Sequence, residues 1–231
     1  MTSISERVQA IQLHIQQAAQ TAGRTADEVH LLAVSKTQPA ARIREAWAAG
    51  QHAFGENYLQ EALDKMKDLV DLPIEWHFIG PIQSNKTRPI AEHFHWVHGV
   101  ARFKIAQRLN DARPDHLPPL NVCIEVNVSG ETSKEGVTPL EVPELAHAIG
   151  TLPRLKLRGL MAIPAPGNDT AQQRRQFGML RQQLASLNSQ RFALDTLSMG
   201  MSHDFPAAIT EGATIVRIGT AIFGPRAVVI R

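Results

Sequence analysis

Short apolar runs of strand-like composition alternate along the chain with segments of helical periodicity. There are eight of them: EVHLLAVS, HAFGE, EWHFIG, HWVHGV, LNVCIEVNV, KLRGLMAI, TLSMGM and IVRIGTAIFG. Strands that alternate with helices pair in parallel, and eight such units predict an α/β fold closed into a single (β/α)8 TIM barrel. An open doubly wound sheet is the alternative, but no Gly-x-Gly-x-x-Gly motif follows the first run.

An additional amphipathic helix is predicted before the first strand. Ser3 and Glu6 have the spacing of a capping box. Apolar residues then recur at helical spacing: Ile4, Val8, Ile11, Ile15 and Ala18. Such a stripe needs a surface to cover, so we expect the helix to pack against the outside or the bottom of the barrel. We expect one domain over residues 1–231, with this helix in 1–22 and the barrel in 28–231.

Prolines, glycines and an acidic residue mark further boundaries. Pro39 is predicted to start a helix that Gly50 ends, and Pro139 to open another. Asp204 is placed to cap a helix through FPAAITEG. Residues 112–119, ARPDHLPP, predict a barrel loop because a strand follows at once. In PIQSNKTRPIAEHF the prolines interrupt the helical pattern, and SNK favours a loop.

Composition and charge exclude several classes of protein. The 231 residues are 43% hydrophobic and 20% charged, with a formal net charge of +2, and no polybasic stretch favours a nucleic-acid or membrane partner. The polar start MTSISERVQAIQ lacks the apolar region of a signal peptide, and no apolar run is long enough to cross a bilayer. We therefore expect a cytoplasmic protein. Cys123, in LNVCIEV, is expected to be an inert core thiol.

The first strand ends in AVSKTQP, which places Lys36 at the carboxyl-terminal end of a barrel strand. TIM barrels carry their chemistry at that end. A lysine at an apolar mouth is partly desolvated, which favours the neutral amine and its attack on a carbonyl to form a Schiff base. The plainer interpretation is an aliphatic stem that covers the rim while the charge stays in solvent.

The loops after the seventh and eighth strands have the small residues and hydroxyl groups of a phosphate site. Gly200 and Gly219 allow the backbone to approach a ligand closely, and Ser202 and Thr220 offer hydroxyl groups. The helix after Asp204 adds N–H groups. Turn glycines with a helix cap would explain either loop alone, but their pairing at adjacent strand ends favours an anion site.

Arg217 is the next candidate. Alternation along IVRIG puts Ile215, Arg217 and Gly219 on one face, so Arg217 points into the mouth if Gly219 does. A buried arginine needs an acceptor, and a salt bridge to Glu125 or Glu56 is one alternative. A phosphorylated aromatic aldehyde with a ring nitrogen would satisfy the lysine, the phosphate loops and the arginine together. The cofactor that fits this description is pyridoxal 5'-phosphate (PLP).

Ordered motifs along essentially the whole chain resemble those of the YggS/PROSC family of PLP-binding, pyridoxal phosphate homeostasis proteins. The motifs are AVSKTQP, FGENYLQE, WHFIGPIQSNK, EVNVSGETSKEG, GLMAI, LSMGMSHDF and VRIGTAIFG. The resemblance implies a monomeric barrel similar to the N-terminal domain of alanine racemase, with PLP on Lys36 and Arg217 against the pyridine nitrogen. Asn57 and Met161 are then expected to line the ring pocket.

The resemblance also implies a set of phosphate contacts. These come from Ser202, Gly219 and Thr220 with neighbouring backbone, to which Ser198, Gly200 and Met201 of LSMGM are assigned. The expected role is intracellular PLP (vitamin B6) and amino-acid homeostasis. PLP-requiring apo-enzymes and amino acids are the expected partners besides PLP. No catalytic turnover is expected, although weak side activity at an accessible Schiff base stays open.

Two enzyme classes remain as alternatives. An arginine that donates to an unprotonated pyridine nitrogen weakens the ring as an electron sink. Racemases of this type place a tyrosine from another domain opposite the lysine, whereas here the chain ends soon after the eighth strand and Tyr58 is the only tyrosine. A PLP-dependent racemase-like enzyme is therefore the second interpretation, and a cofactor-free Schiff-base aldolase is the third.

Several histidines and one loop lysine are further candidates for a functional role. His93, His95 and His98 lie close together in sequence, but strand alternation puts His98 on the opposite face, so no metal site is predicted. His77 is expected in the layers of side chains that fill the barrel, with the mouth as an alternative. Lys86, in PIQSNKTR, is either a solvated loop charge or a receiver of PLP on a transfer path.

Overall fold

Eight parallel strands close into one barrel in chain order in the computed structural model, which describes residues 2–131, 135–164 and 169–225. The strands are β1 (His30–Val34), β2 (Ala53–Glu56), β3 (Glu75–Phe78), β4 (Trp96–Val100), β5 (Leu120–Glu125), β6 (Leu155–Met161), β7 (Thr196–Ser198) and β8 (Ile215–Ile218). Each strand pairs with its sequence neighbours, and β8 closes the barrel against β1. The predicted barrel and its eight strands are confirmed.

Helices cover the outside of this barrel. Over the described ranges they are α1 (Ile4–Thr21), α2 (Ala40–Ala48), α3 (Leu59–Asp68), α4 (Thr87–His93), α5 (Phe103–Ala112), α6 (Val142–Gly150), α7 (Thr170–Ser189), α8 (Phe205–Thr210) and α9 (Thr220–Phe223). None of these helices combines the length and the apolar character needed to cross a membrane. The predicted SNK loop is a 3-10 turn, and α4 begins directly after it.

Helix α1 packs against α2, α8 and α9 on the outside of the barrel. Its predicted capping box is confirmed, since the Glu6 N–H donates to Ser3 Oγ at 3.1 Å and the Ser3 N–H donates to Glu6 Oε2 at 2.7 Å. The predicted apolar stripe packs against the core, with Ala18 half-buried, and the fully buried Ala19 extends it by one residue.

Two of the predicted helix starts are found. Pro39 is the residue before α2, which spans Ala40–Ala48, and Gly50 follows the end of that helix with φ 93°. Asp204 occupies the corresponding position before α8, but its side chain does not bond the helix. Instead, its carboxylate accepts a hydrogen bond from the Met201 N–H.

The prediction that Pro139 opens a helix is wrong. A turn intervenes, in which the N–H and the hydroxyl group of Thr138 donate to the Glu141 carboxylate at 2.8 and 2.7 Å. Helix α6 therefore begins only at Val142. Pro143 lies in its first turn, where the missing proline N–H costs no helix hydrogen bond.

The barrel interior holds a small apolar cluster separate from the main core between the strands and the helices. Its buried members are Leu32, Trp96, Cys123, Met161 and Ile215. Burial raises the pKa of the Cys123 thiol to about 12, so the sulfur stays protonated at neutral pH, as expected of an inert core thiol. Polar side chains share this interior, and they connect it to the carboxyl-terminal mouth.

Candidate functional site at the barrel mouth

Lys36 lies two residues beyond the end of β1, half-buried at the carboxyl-terminal rim. In the β1–β8 register Ala33 is opposite Ile218, so the next residue of each strand continues the pairing towards this rim. A Cβ atom on Gly219 would stand 3.1 Å from the Val34 carbonyl oxygen. The loop after β8 thus abuts the strand end that carries the lysine, and the two predicted parts of the site share one rim.

A buried ion pair anchors the residue before Lys36. Lys65, from α3, donates to the Ser35 carbonyl oxygen and to Glu56 Oε1, each at 2.8 Å. The Ser35 hydroxyl group donates to the same carboxylate oxygen at 2.6 Å. Burial raises the pKa of Glu56, and the charge of Lys65 offsets part of that rise. This arrangement was not predicted; the sequence had suggested Glu56 only as an acceptor for the arginine.

The residue after Lys36 is anchored to the same helix. Thr37 has φ 64°, a left-handed conformation that is strained for a β-branched residue. Its N–H donates to Glu61 Oε1 at 2.6 Å, and Glu61 also pairs with Lys65. Both peptide neighbours of the lysine are therefore held by α3, which fixes where its side chain leaves the backbone.

Arg217 points into the barrel, as predicted, and is 5% exposed. Its Nη1 donates to the carbonyl oxygen and the hydroxyl group of Ser198 at 2.6 and 2.7 Å, and its Nη2 donates to the Ala162 carbonyl oxygen at 2.9 Å. The proposed salt bridges to Glu125 or Glu56 are wrong, since among the described residues neither carboxylate pairs with the guanidinium. Burial lowers the pKa of Arg217 to about 10, so it stays charged at neutral pH.

Glu125, at the carboxyl-terminal end of β5, is a titratable group that the sequence had suggested only as a salt-bridge partner of Arg217. It is 9% exposed and stands opposite Met161 in the strand register. Burial raises its pKa to about 7, with a further rise from Glu135 and an opposing effect of Arg217. A carboxyl group in this state changes charge in the neutral pH range.

The loop after β7 is tightly packed. Gly200 has φ 94°, and a Cβ atom there would stand 2.7 Å from the Cβ of Ala208, so only glycine fits. The Gly200 carbonyl oxygen accepts from the Arg217 N–H at 2.9 Å, which joins this loop to β8. The Met201 N–H is taken by Asp204, so in this structure that N–H is not offered to a ligand.

The two hydroxyl groups predicted for the anion site lie at the carboxyl-terminal end of the barrel, after β7 and β8. Ser202 is half-buried in the turn that precedes α8. Thr220 is exposed and is the first residue of α9, directly after Gly219. The first N–H groups of a helix have no partner within it, so the start of α9 adds donors beside the Thr220 hydroxyl group.

Asn57 and Met161 lie on different parts of the mouth. Asn57 follows β2, and its buried Oδ1 has no hydrogen-bond partner among the described residues. It lines a cavity of about 990 Å³ together with Tyr58, Lys86 and Gly99. Met161, 1% exposed, belongs to the apolar cluster of the interior. An orphaned buried amide oxygen is the kind of group that a ligand satisfies.

A larger cavity, of about 1250 Å³, lies at the opposite end of the barrel, where the strands begin. Glu75, Trp96 and Arg158 are among its lining residues, and Arg158 stacks on the Trp96 ring at 4.6 Å. Chemistry in this fold belongs to the other end. His93 and His95 are exposed whereas His98 is fully buried, and the described ranges contain no group of three potential metal ligands.

These groups at the mouth suit an anionic aromatic aldehyde. A half-buried lysine on an anchored loop can supply an amine, and glycine-containing loops with a helix start can receive an anion. A buried, charged arginine can donate to a ring atom that accepts but does not donate.

The fold and this site define a barrel of the alanine racemase type. The family model described as "Alanine racemase, N-terminal domain" matches residues 7–227, and the chain belongs to that family. Alanine racemase from Corynebacterium glutamicum has the same fold, with a TM-score of 0.67 and 19% identity. That comparison covers 97% of this chain and 62% of the racemase.

Within this class, the chain belongs to the pyridoxal phosphate homeostasis proteins. It is 62% identical over 226 residues to the protein of that name from Pseudomonas aeruginosa, covering 98% of this chain and 97% of the relative. Its identity to the Escherichia coli K12 protein of that name is 53%, covering 98% of each. PipY of Synechococcus elongatus PCC7942, solved with PLP bound, has a TM-score of 0.85 at 38% identity, covering 96% of this chain and 100% of PipY.

Proposed function

We propose that this chain binds PLP at the carboxyl-terminal mouth of the barrel and takes part in the intracellular homeostasis of PLP and amino acids, without catalytic turnover of its own. The observation that carries the proposal is the shared rim of β1 and β8, where Lys36 and Gly219 lie on adjacent strand ends above the buried Arg217. Relatives covering almost the whole chain carry the name of this role, and PipY was solved with PLP bound.

Each part of PLP has a partner in the proposed site. The bound cofactor supplies an aldehyde that condenses reversibly with an amine, with release of water. Lys36 provides that amine from a backbone position anchored on both sides. Arg217 donates an N–H to the ring nitrogen, while Asn57 and Met161 border the ring.

The phosphate contacts come from the two late loops. They involve Ser202, Gly219 and Thr220, with Gly200 and Met201 as neighbouring loop residues and Ser198 at the end of β7. The start of α9 contributes backbone N–H groups. Since Asp204 already accepts from the Met201 N–H, we assign Met201 to the wall of the loop rather than to its donors.

The proposal that the protein has no turnover is supported by what Arg217 does with its protons. With a pKa of about 10 the guanidinium keeps them at neutral pH, so it donates a hydrogen bond to the ring nitrogen without protonating it. An unprotonated ring withdraws electrons weakly, which disfavours loss of a proton from a bound amino acid. We therefore propose a carrier, which releases PLP to PLP-requiring apo-enzymes and exchanges it with amino acids. We also propose a monomer in the cytoplasm.

An absorbance titration with PLP tests the binding proposal. Wild type and Lys104→Ala, a variant of an exposed lysine on α5, should develop an absorbance band at about 420 nm, whereas Lys36→Ala should not. Equal uptake by wild type and Lys36→Ala, or uptake by neither, would contradict the assignment of Lys36.

A racemase-like enzyme is the second candidate, favoured by the fold shared with alanine racemase. Incubation of the PLP-loaded protein with single isomers of amino acids separates the two functions. The carrier proposal predicts no accumulation of the opposite isomer. Steady formation of that isomer, lost in Lys36→Ala, would support the enzyme instead.

A further inference from the structure

A row of polar side chains crosses the barrel interior from one end to the other. Glu75, at the start of β3, faces the cavity at the opposite end from Lys36 and is 51% exposed. His77, His98 and Ser198 follow inside the barrel, each no more than 2% exposed, and the row ends at Arg217.

Consecutive members of this row are within hydrogen-bond distance. Glu75 Oε1 is 2.7 Å from His77 Nε2, and His77 Nδ1 is 2.9 Å from His98 Nε2. His98 Nδ1 is 2.8 Å from Ser198 Oγ, which accepts from Arg217 Nη1 at 2.7 Å. Four hydrogen bonds thus connect a solvent-facing carboxylate to the guanidinium at the mouth.

The donor and the acceptor of every hydrogen bond in the row can be assigned by starting at Glu75. Its hydrogen bond with His77 lowers the pKa of Glu75, which is therefore an ionised acceptor, so His77 must carry its proton on Nε2. Burial lowers the pKa of His77 and of His98, so both rings are neutral. His77 Nδ1 then accepts from His98 Nε2–H, and His98 Nδ1 accepts the Ser198 hydroxyl proton. Arg217 can only donate, so its hydrogen bond to Ser198 Oγ runs in the same direction along the row.

We propose that Glu75, His77, His98 and Ser198 form a relay of positioning residues that sets the orientation of the Arg217 guanidinium towards the cofactor. Ser198 gives its only proton to His98, so its lone pairs stay turned towards Arg217. The carboxylate at the far end of the barrel thereby keeps Ser198 Oγ as an acceptor for Arg217 Nη1, which holds the guanidinium in place. This inference rests on the proposed function, since it concerns how PLP is held.

The test removes the terminal acceptor without touching the mouth. Glu75→Leu deprives His77 of its partner and lets the proton positions along the relay reverse, whereas Glu75→Gln keeps a carbonyl acceptor. Asp195→Leu is the matched control, because Asp195 is 56% exposed, lines the same cavity and pairs with Arg158 instead of a histidine.

Nitrogen-15 spectra of labelled histidine report the proton positions in the protein without PLP. Wild type, Glu75→Gln and Asp195→Leu should show His77 and His98 protonated on Nε2, and Glu75→Leu should lose this pattern. In PLP titrations Glu75→Leu should raise the dissociation constant about fivefold, equivalent to about 1 kcal/mol, and shift the absorbance maximum of the bound cofactor.

Three results would overturn the relay: unchanged histidine spectra in Glu75→Leu, altered spectra with unchanged PLP binding and absorbance, or equal effects of Asp195→Leu. Failure of the proposed function is distinguishable from failure of the relay. If wild type takes up no PLP, the proposed function fails, while the histidine spectra of the same sample still decide whether Glu75 controls the proton positions along the relay.

Discussion

Replacing Lys65 with methionine should destabilise the protein and loosen the loop that carries Lys36. The Lys65 side chain is 7% exposed and its partner Glu56 is 0% exposed. Methionine keeps much of the volume but leaves the carboxylate buried without its counter-charge, and Ser35 loses the donor to its carbonyl oxygen. Removal of one partner of a buried ion pair costs about 3–5 kcal/mol. PLP affinity should fall as well, because the anchor before Lys36 is lost.

Lys67→Met is the matched control on the same helix. Lys67 is 74% exposed and pairs with Asp64 at 3.2 Å, so its loss should cost at most about 1 kcal/mol. Urea unfolding of the protein without PLP, followed by circular dichroism, measures both variants against wild type. The double variant Lys65→Met/Glu56→Gln removes the unpaired charge and should recover part of the lost stability.

The cost of Lys65→Met should also depend on pH. Burial raises the pKa of Glu56, and removal of the ammonium group raises it further. A carboxyl group with a raised pKa contributes stability at low pH, and this contribution is lost as pH rises through that pKa. The deficit of Lys65→Met should therefore be larger at pH 8 than at pH 5. Equal losses for Lys65→Met and Lys67→Met, or no recovery in the double variant, would refute the reasoning.

Three further variants give independent tests by urea unfolding. Glu125→Gln should stabilise the protein without PLP by up to about 3 kcal/mol at pH 8 and by much less at pH 5. The reason is that the pKa of about 7 makes ionisation of Glu125 costly in the native state. A stabilisation that does not depend on pH would contradict this. Gly200→Ala should lower the free energy of unfolding more than Gly50→Ala, because Gly50 has a similar φ but open space around it. Gly200→Ala should also weaken PLP binding. Equal losses of stability would show that the contact with Ala208 is relieved. Ser3→Ala should cost about 1 kcal/mol through loss of the cap, and an unchanged midpoint would argue against it.

The strands were predictable because barrel strands are buried on both faces and stand out as apolar runs between helical segments. The inward direction of Arg217 followed from alternation within one strand, which needs no knowledge of its neighbours. The start of α6 was missed because Pro139 and Pro143 are both plausible first-turn residues. Only the side chain of Glu141, folded back on Thr138, decides between them.

The ion pair behind Lys36 and the relay to Arg217 depend on contacts between different elements. In the sequence Lys65 is one of several charged residues on an amphipathic helix. No neighbouring residue in the sequence indicates that its side chain reaches Glu56. His77 was expected among the barrel layers, but its contact with His98 is set by the stagger of β3 against β4. A possible signal was present in the composition of β3 and β4, since neutral histidines at inward positions of a barrel need partners inside it.

Borohydride reduction of the PLP-loaded protein, followed by digestion and peptide mass analysis, tests the central claim most directly. Reduction makes the bond between cofactor and lysine permanent, so the modified residue can be read from the peptide masses. We predict that the pyridoxyl group is found on the peptide that contains Lys36, and that Lys36→Ala yields no such peptide. A label on Lys65, Lys86 or another lysine in place of Lys36 would contradict the account.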